Sequence, residues 1–508
     1  MHRRAFLKKA LGTAGAAMAA GGTAGCSDTS RPSSAGRGGP VSALPAATGP
    51  ADWNALARGL EGRLIRPGDA AYDQARRLYI PRFDGVRPAG VAYCDGPDDV
   101  AECLGFATRM RLPVAVRCGG HNYAGWSTGT GLVIDVSPMN AVRADGGRAV
   151  VGAGARLIDL YDRLALQGGG VPAGTCPTVG VAGLTLGGGL GPLSRLHGLT
   201  CDVLQSVTVV TVDGKARTCD ADRDPDLFWA CRGGGGGNFG VAVEFAFRTH
   251  RATDLTSFSL RWPWARAAAV IGGWQRWAPS APDEVWTSLQ LSTAPGAGTP
   301  TVEVIGVAPA DPDLSALVAA VGSEPFARDA RSRPYLDAMK AAGGCAGQST
   351  AACHARGDLP GQRPEGRFPR TDYAGKSHMA YRPLSGTAIA ALVARFTRGN
   401  GVPGRAVLMD AMGGAIARVG PGDTAFPHRR ALFSVQYNAG GNDLGWLRAT
   451  HSAMEPHLGG AAYVNYMDPD LRGWSRAYYG ANLDRLTKVK AAYDPRSLFR
   501  FPQSVGKA

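Results

Sequence analysis

The stretch PAGTCPTVGVAGLTLGGGLG, Pro172 to Gly191, holds seven glycines, no charged residue and nothing larger than leucine. A second run, RGGGGGNFGV, spans Arg232 to Val241. Glycine loses more freedom on folding than any other residue. Runs this dense persist where backbone must pass close to backbone or to a bound group. They offer unhindered N–H groups that can cradle a pyrophosphate without basic side chains. Neither run follows a strand and opens a helix in the G-x-G-x-x-G register, and neither carries the Lys-Ser/Thr of a P-loop. Rossmann and ATPase readings are therefore weak.

Upstream lies VRCGGHNYAGWST, Val116 to Thr128. LPVAVR, Leu112 to Arg117, reads as a buried strand, so CGGHNY is a loop at a strand's carboxyl end, a common ligand position. His121 behind two glycines has the chemistry of a metal ligand, a base, a covalent anchor or a core residue. Cys176, fixed by Pro177, either lines a narrow slot or is a buried free thiol. No cysteine spacing resembles a zinc site. Among ten cysteines, Cys345 and Cys353 bracket a short loop and form the best disulfide pair.

The first folded block alternates helices and strands. Pro97 opens a helix with Asp98 and Asp99 in its first turn. GLVIDVS reads as a strand, RAVVGAGARLIDLYDRLALQGG as a strand then a helix, and VLQSVTVVTVDGKAR as a hairpin turning at Asp213-Gly214. From about Ser257 the texture changes to strands such as VWTSLQLS, TVEVIGVAP and ALFSVQYNAG among Trp262, Trp264, Trp274, Trp277 and Trp286. This predicts an α+β domain with an antiparallel sheet. A helix with Leu483, Leu486 and Val489 on one face ends before Pro495.

Two features concern location. HRRAFLKKA followed by small apolar residues resembles a twin-arginine export signal, and TAGC, Thr23 to Cys26, resembles a lipoprotein box with Thr23 where Leu is usual. Ser27 to Pro50 is a tether-like Ser/Gly/Pro/Ala stretch. The expected division is 1–26 signal, 27–50 linker, 51–255 first domain, 256–460 second domain and 461–508 terminal segment. Of 55 basic residues only 8 are Lys, and no basic run is interleaved with aromatics, so no nucleic-acid partner is expected. The net charge of +14 suits attraction to anionic glycans or an envelope surface.

Four stretches in order, VRCGGHNYAG, GTCPTVGVAGLTLGGGLG, LFWACRGGGGGNFGV and AYVNYMDPD…YYGANLDRLTKVKAAYDPRSLFRFPQS, resemble the berberine bridge enzyme-like FAD-linked oxidases from about Pro81 onward. The resemblance implies a two-part FAD-binding domain of PCMH type, an α+β substrate domain with an antiparallel sheet, and a C-terminal segment that returns to the FAD domain. It implies bicovalent FAD, with His121 on the 8α-methyl group and Cys176 on ring carbon 6. The same resemblance puts Arg117, Cys118, Gly119, Gly120, Asn122, Val179, Gly180, Gly183, Gly187, Gly188, Val241 and Asn482 around the cofactor. Cys118 and Asn122 depart from the Ser or Gly, and the Ser, usual there.

Tyr466 matches the family's catalytic tyrosine, with Gln436 and Tyr123 at the assisting positions. AYVNYMD looks β-like, which would put Tyr463 and Asn465 on one face and Val464 and Tyr466 on the other. Leu190 stands where plant members carry an aromatic residue. Asp410 could supply a polar group from the substrate domain but reads first as a structural core-edge carboxylate, and His197, His378 and His451 read as structural. Val179 matches the position that controls oxygen access, Val being associated with oxidases. The leading expectation is an exported oxidase passing hydride from a carbohydrate hydroxyl to FAD and then to O2. Alternatives are an oxidase of a glycosylated or phenolic natural product, a dehydrogenase with another acceptor, and a glycan-binding surface lipoprotein without catalysis. Intact His121, Cys176 and Tyr466 count against the last.

Overall fold

In a computed structural model, residues 52–293, 299–397, 402–441 and 443–506 are described. The expected export signal, linker and Cys26 lie outside them.

Four short strands make the first sheet: β1 (Arg63–Ile65), β2 (Gly90–Tyr93), β3 (Val114–Arg117) and β4 (Leu132–Asp135), in the order β1-β2-β4-β3. The β2–β4–β3 part is parallel. Between β2 and β3 runs helix α1 (Pro97–Met110), whose Pro97 suits the first turn because it lacks an N–H. Asp99 in that turn is buried and accepts from the N–H groups of Glu61, Gly62 and Asp95.

The second sheet is antiparallel: β5 (Val142–Asp145), β6 (Arg148–Gly152), β8 (Leu204–Val210), β9 (Ala216–Cys219) and β10 (Val241–Arg248), ordered β5-β6-β10-β8-β9. The β8–β9 pair is the hairpin expected at Asp213-Gly214. Helix α2 (Leu157–Ala165) follows β6, and α3 (Val181–Leu186) opens directly after Gly180. A two-residue ladder joins β7 (Gly169–Gly170) to β11 (His250–Arg251).

The third sheet has seven antiparallel strands, β12 (Leu255–Trp262), β13 (Trp286–Ser292), β14 (Thr301–Ala308), β15 (Ala327–Arg333), β16 (Tyr373–Ala380), β17 (Ala406–Ala411) and β18 (Phe433–Gly440), ordered β15-β12-β14-β13-β17-β18-β16. Helices α4 (Ala267–Trp277), α6 (Gly386–Thr397) and α7 (Leu444–Leu458) cover its apolar face, where Leu289, Leu291, Val407, Val435 and Tyr437 are buried. Strand alternation sends Ser288, Gln290 and Ser292 to the other face. The tryptophans are mostly core: Trp262 and Trp274 are fully buried, and Trp264 and Trp277 pack against them. Of these five tryptophans only Trp286 borders the cavity, and it too is buried, so the stacking surface expected for sugar rings is largely absent from them.

Residues from Ala462 to Val505, including helix α8 (Leu483–Tyr493), bury Val464, Met467, Tyr479, Leu486 and Val489 in the first core, so the terminal segment does return to the first domain. The stretch 256–460 is less uniform. Helix α5 (Tyr335–Ala342) puts Tyr335, Ala338 and Met339 into the first core as well. The Cys345–Cys353 disulfide sits beyond it against Ile158.

Candidate active site

A cavity of about 750 Å3 runs between the loops of the first two sheets and the polar face of the seven-stranded sheet. That lies within the range of cofactor and ligand sites, roughly 300–1,000 Å3.

The loop after β3 and the loop before α3 cross inside it. A Cβ on Gly119 would overlap the Gly180 backbone, and one on Gly180 would overlap the Cys118 sulfur. These glycines are required by loop crossing. Gly120 has φ +70° and accepts from Tyr79 N–H. The crossing brings His121 and Cys176 to one hydroxyl: Thr178 Oγ1 lies 2.9 Å from His121 Nε2 and 3.7 Å from Cys176 Sγ. Tyr79 stacks on the imidazole at 3.9 Å and 19°. Burial, and then the Arg156 charge, pull His121 down to about 3, so its ring is neutral at physiological pH. Burial pushes the Cys176 thiol up.

Arg117 and Asn122, also expected here, line the cavity and hold its loops as well, and Arg117 Nη1 is buried without a protein partner. Arg117 pairs with Asp135 at 2.5 Å and donates to Ala75 O at 2.7 Å. Asn122 Oδ1 accepts from Ala124 and Trp126 N–H, closing its own loop. Val179 lines the cavity beside Cys176. Gly183 has open space where a side chain would stand, and Gly236 and Gly237 nearly so. Together they form a bare backbone wall on the cavity. On another part of the lining, Ser127 Oγ and Thr128 Oγ1 are buried with no protein partner.

Four expected cofactor contacts fall outside the cavity lining. Gly187 faces the Asn465 carboxamide, and Gly188, at φ +121°, backs onto the Phe426 ring. Val241 is a core residue of β10. Asn482 donates to the carbonyls of Pro421, Thr424 and Ala425, tying a surface loop to the start of α8.

On the sheet side, Tyr466 is not on a strand. Val464–Tyr466 is a single 3₁₀ turn, closed by Tyr466 N–H to Tyr463 O at 2.9 Å. Alternation along AYVNYMD therefore does not set its faces. The Tyr466 ring stacks on Tyr123 at 5.2 Å and 16°, and the Tyr463 ring meets it edge-on at 5.0 Å. Gln436 Nε2 donates to Tyr123 Oη at 2.5 Å, and Tyr373 packs edge-on against Tyr123 at 5.1 Å. The turn is held from below by Asp468, which pairs with buried Lys376 at 2.7 Å and links it to β16. Burial pushes the Tyr466 phenol far above the usual tyrosine range.

Asp410 proves to be a cavity residue. It sits opposite Ser288 across β17 and β13. Burial raises its carboxyl to about 6, against a partly opposing Ser288 hydrogen bond. Its charge is felt by both Tyr466 and Tyr123. Sequence reasoning also misses Tyr79, Thr178, Tyr373, Ser127 and Thr128. Only the crossing of loops distant in sequence reveals them. His197 stacks on His250, and His378 on His451, away from the cavity.

Residues 88–220 match a family model described as FAD binding domain, and 462–506 one described as Berberine and berberine like. An uncharacterized FAD-linked oxidoreductase of Bacillus subtilis (strain 168), YgaK, is 32% identical over 467 residues, covering 88% of this chain and 97% of the relative. The chain belongs to the berberine bridge enzyme-like FAD-linked oxidoreductases. Among solved structures, Physcomitrella patens BBE-like 1 superposes with a TM-score of 0.81 at 28% identity, covering 90% of this chain and 99% of that one. A chitooligosaccharide oxidase does so with 0.78 at 26% identity, also covering 90% and 99%. This family member is an FAD-dependent oxidoreductase, and its cavity fits the cofactor. The bare glycine wall admits a large group, and the orphaned Ser127 and Thr128 hydroxyls require a polar one.

Proposed function

We propose that the protein removes hydride from a carbohydrate hydroxyl, an alcohol or hemiacetal, and releases the electrons to O2 as hydrogen peroxide. The observation that carries this reading is the meeting, in one cavity, of His121 and Cys176 with the stacked Tyr466–Tyr123 pair and Asp410. Bound FAD supplies the hydride acceptor. The chain's residues do the rest. His121 and Cys176 are the two attachment points of a bicovalent cofactor, their shared Thr178 hydroxyl holding both side chains to the same place. Two tethers keep the cofactor in an open cleft where long substrates can enter.

The hydroxyl proton needs an acceptor. Asp410, ionised above about pH 6, is the basic group at neutral pH, and the neutral Tyr466 hydroxyl orients the substrate and carries the proton to it. Gln436 fixes Tyr123, which in turn holds the Tyr466 ring parallel. The polar face of β13, with Ser288, Gln290 and Ser292, and Asn438 on β18 supply hydrogen-bond partners for a polyhydroxylated molecule. The similarity to a chitooligosaccharide oxidase supports a sugar.

Tyr466→Phe removes one hydroxyl from a packed ring. The variant is expected to stay folded and yellow while anaerobic flavin reduction slows roughly 10²-fold or more, read by stopped-flow.

For the acceptor, Val179 and Cys176 line the same cavity, and in a closely packed wall one added methylene at Val179 would narrow the approach of a small molecule. Val179→Leu is expected to leave reduction by substrate largely intact and to slow reoxidation by air, measured by double-mixing stopped-flow. Equal reoxidation rates would shift the acceptor from O2 to another oxidant. The proposal extends to location: export by the twin-arginine route, with Cys26 the lipid attachment point, read from residues 1–26. The function itself is tested by adding neutral mono- and oligosaccharides to the aerobic protein and following peroxide release. Peroxide formed with simple phenols or glycosylated aromatics, and with no free sugar, would replace the carbohydrate reading.

A further inference from the structure

The structure assigns Asn465, with Tyr463, a positioning role: a strap that ties the Tyr466 turn to the C-terminal end of α3. This rests on the reading of Tyr466 as a residue of the reacting centre. Asn465 borders the same cavity as Tyr466, but both bonds of its amide nitrogen go to protein. Its Nδ2 donates to Leu184 O at 3.0 Å and to Tyr463 Oη at 2.8 Å. Tyr463 Oη also accepts from the N–H groups of Gly189 at 2.9 Å and Leu190 at 3.3 Å. A helix leaves its last carbonyls unpaired. Here Leu184 O is satisfied by Asn465, Thr185 O by Gly188 N–H, and Leu186 O by Gly233 and Gly235 N–H. The same helix contributes Ala182, Gly183, Leu184 and Leu186 to the cavity wall. The strap thus fixes Tyr466 relative to the cofactor wall across more than 270 residues of sequence.

Gly187 reports the tightness of this contact. Its φ of −99° is open to any residue, so conformation does not demand glycine there. Space does: a Cβ would overlap the Asn465 carboxamide oxygen and crowd its carbon and nitrogen. The carboxamide would have to shift, and both bonds that it donates start from the group that must move.

The test uses four holoproteins: wild type, Asn465→Ala, Gly187→Ala and the double variant. Anaerobic flavin reduction by a donor that the wild type accepts is read with its apparent KM, and urea denaturation gives stability separately. Each single variant is expected to slow reduction roughly ten- to hundredfold with KM little changed. The double variant should be no slower than Asn465→Ala, because the added methyl then meets no carboxamide. If Gly187→Ala alone gives no soluble protein, recovery of soluble yellow protein in the double variant is the same result, and failure to recover contradicts it. A double variant whose loss is the product of the two single losses overturns the strap. So does an Asn465→Ala protein that loses stability but is reduced at the wild-type rate. A Tyr466→Phe variant reduced at the wild-type rate would sink the underlying reading instead. Slow Tyr466→Phe beside normal Asn465→Ala would sink only the strap.

Discussion

Asp410→Asn is expected to slow anaerobic flavin reduction by roughly 10²- to 10⁴-fold while leaving the fold and the yellow colour intact. The substitution keeps shape and removes the carboxylate that takes a proton at neutral pH. Three titratable groups, Tyr466, Tyr123 and Asp410, line this part of the cavity. Burial pushes the Tyr466 phenol well above its ordinary range and Tyr123 likewise, so neither is ionised near neutrality. Burial also raises the Asp410 carboxyl, to about 6, but from so low a start that it remains a base above that pH. The sign follows. The wild-type reduction rate should fall as pH drops through about 6, as the carboxylate takes up a proton, and the Asn variant should lose that step. The check is stopped-flow reduction at a series of pH values. A wild-type profile flat through this range, or an Asn variant at full rate, would return the base to the tyrosines.

His121→Ala/Cys176→Ala should lose all covalent flavin. Each single variant should keep it through the remaining residue. Acid precipitation followed by fluorescence of the pellet reads this directly, and peptide mass locates the attachment. The expectation comes from convergence: two side chains from separate loops reach one Thr178 hydroxyl, the imidazole neutral and stacked under Tyr79. A neutral ring has a nitrogen lone pair to bond with, which an imidazolium lacks. Flavin that stays with the precipitated double variant would move the anchors elsewhere. A colourless wild-type pellet would leave the cofactor held without covalent bonds.

Much of this architecture is legible in the amino-acid sequence. The helix at Pro97, the Asp213-Gly214 hairpin and the antiparallel second domain all follow from periodicity and turn chemistry, because those signals are local. Glycine is less readable. Gly187 and Gly188 look like cofactor contacts in a glycine run, yet one seats Asn465 and the other backs onto Phe426. A missing Cβ is demanded equally by a ligand and by a neighbouring chain segment. The turn at Tyr466 escapes sequence reasoning because Tyr, Val, Asn and Tyr mimic strand alternation, whereas bonds to α3 and to Lys376 through Asp468 decide its shape. Asp410 can be named from the sequence as a polar group of the second domain, but not placed, for a third reason. A single acidic residue on a strand has no local partner, and only the cross-strand register with Ser288 turns it toward the cavity.

The central claim is that one cavity holds FAD against a sugar hydroxyl and the groups that take its proton. Anaerobic mixing of the purified holoprotein with a panel of neutral mono- and oligosaccharides tests it most directly. Bleaching of the flavin absorbance by at least one sugar, at a rate that falls below about pH 6, is the predicted result. A flavin that stays oxidised with every sugar in the panel, yet bleaches with a non-carbohydrate alcohol or phenol, would contradict it.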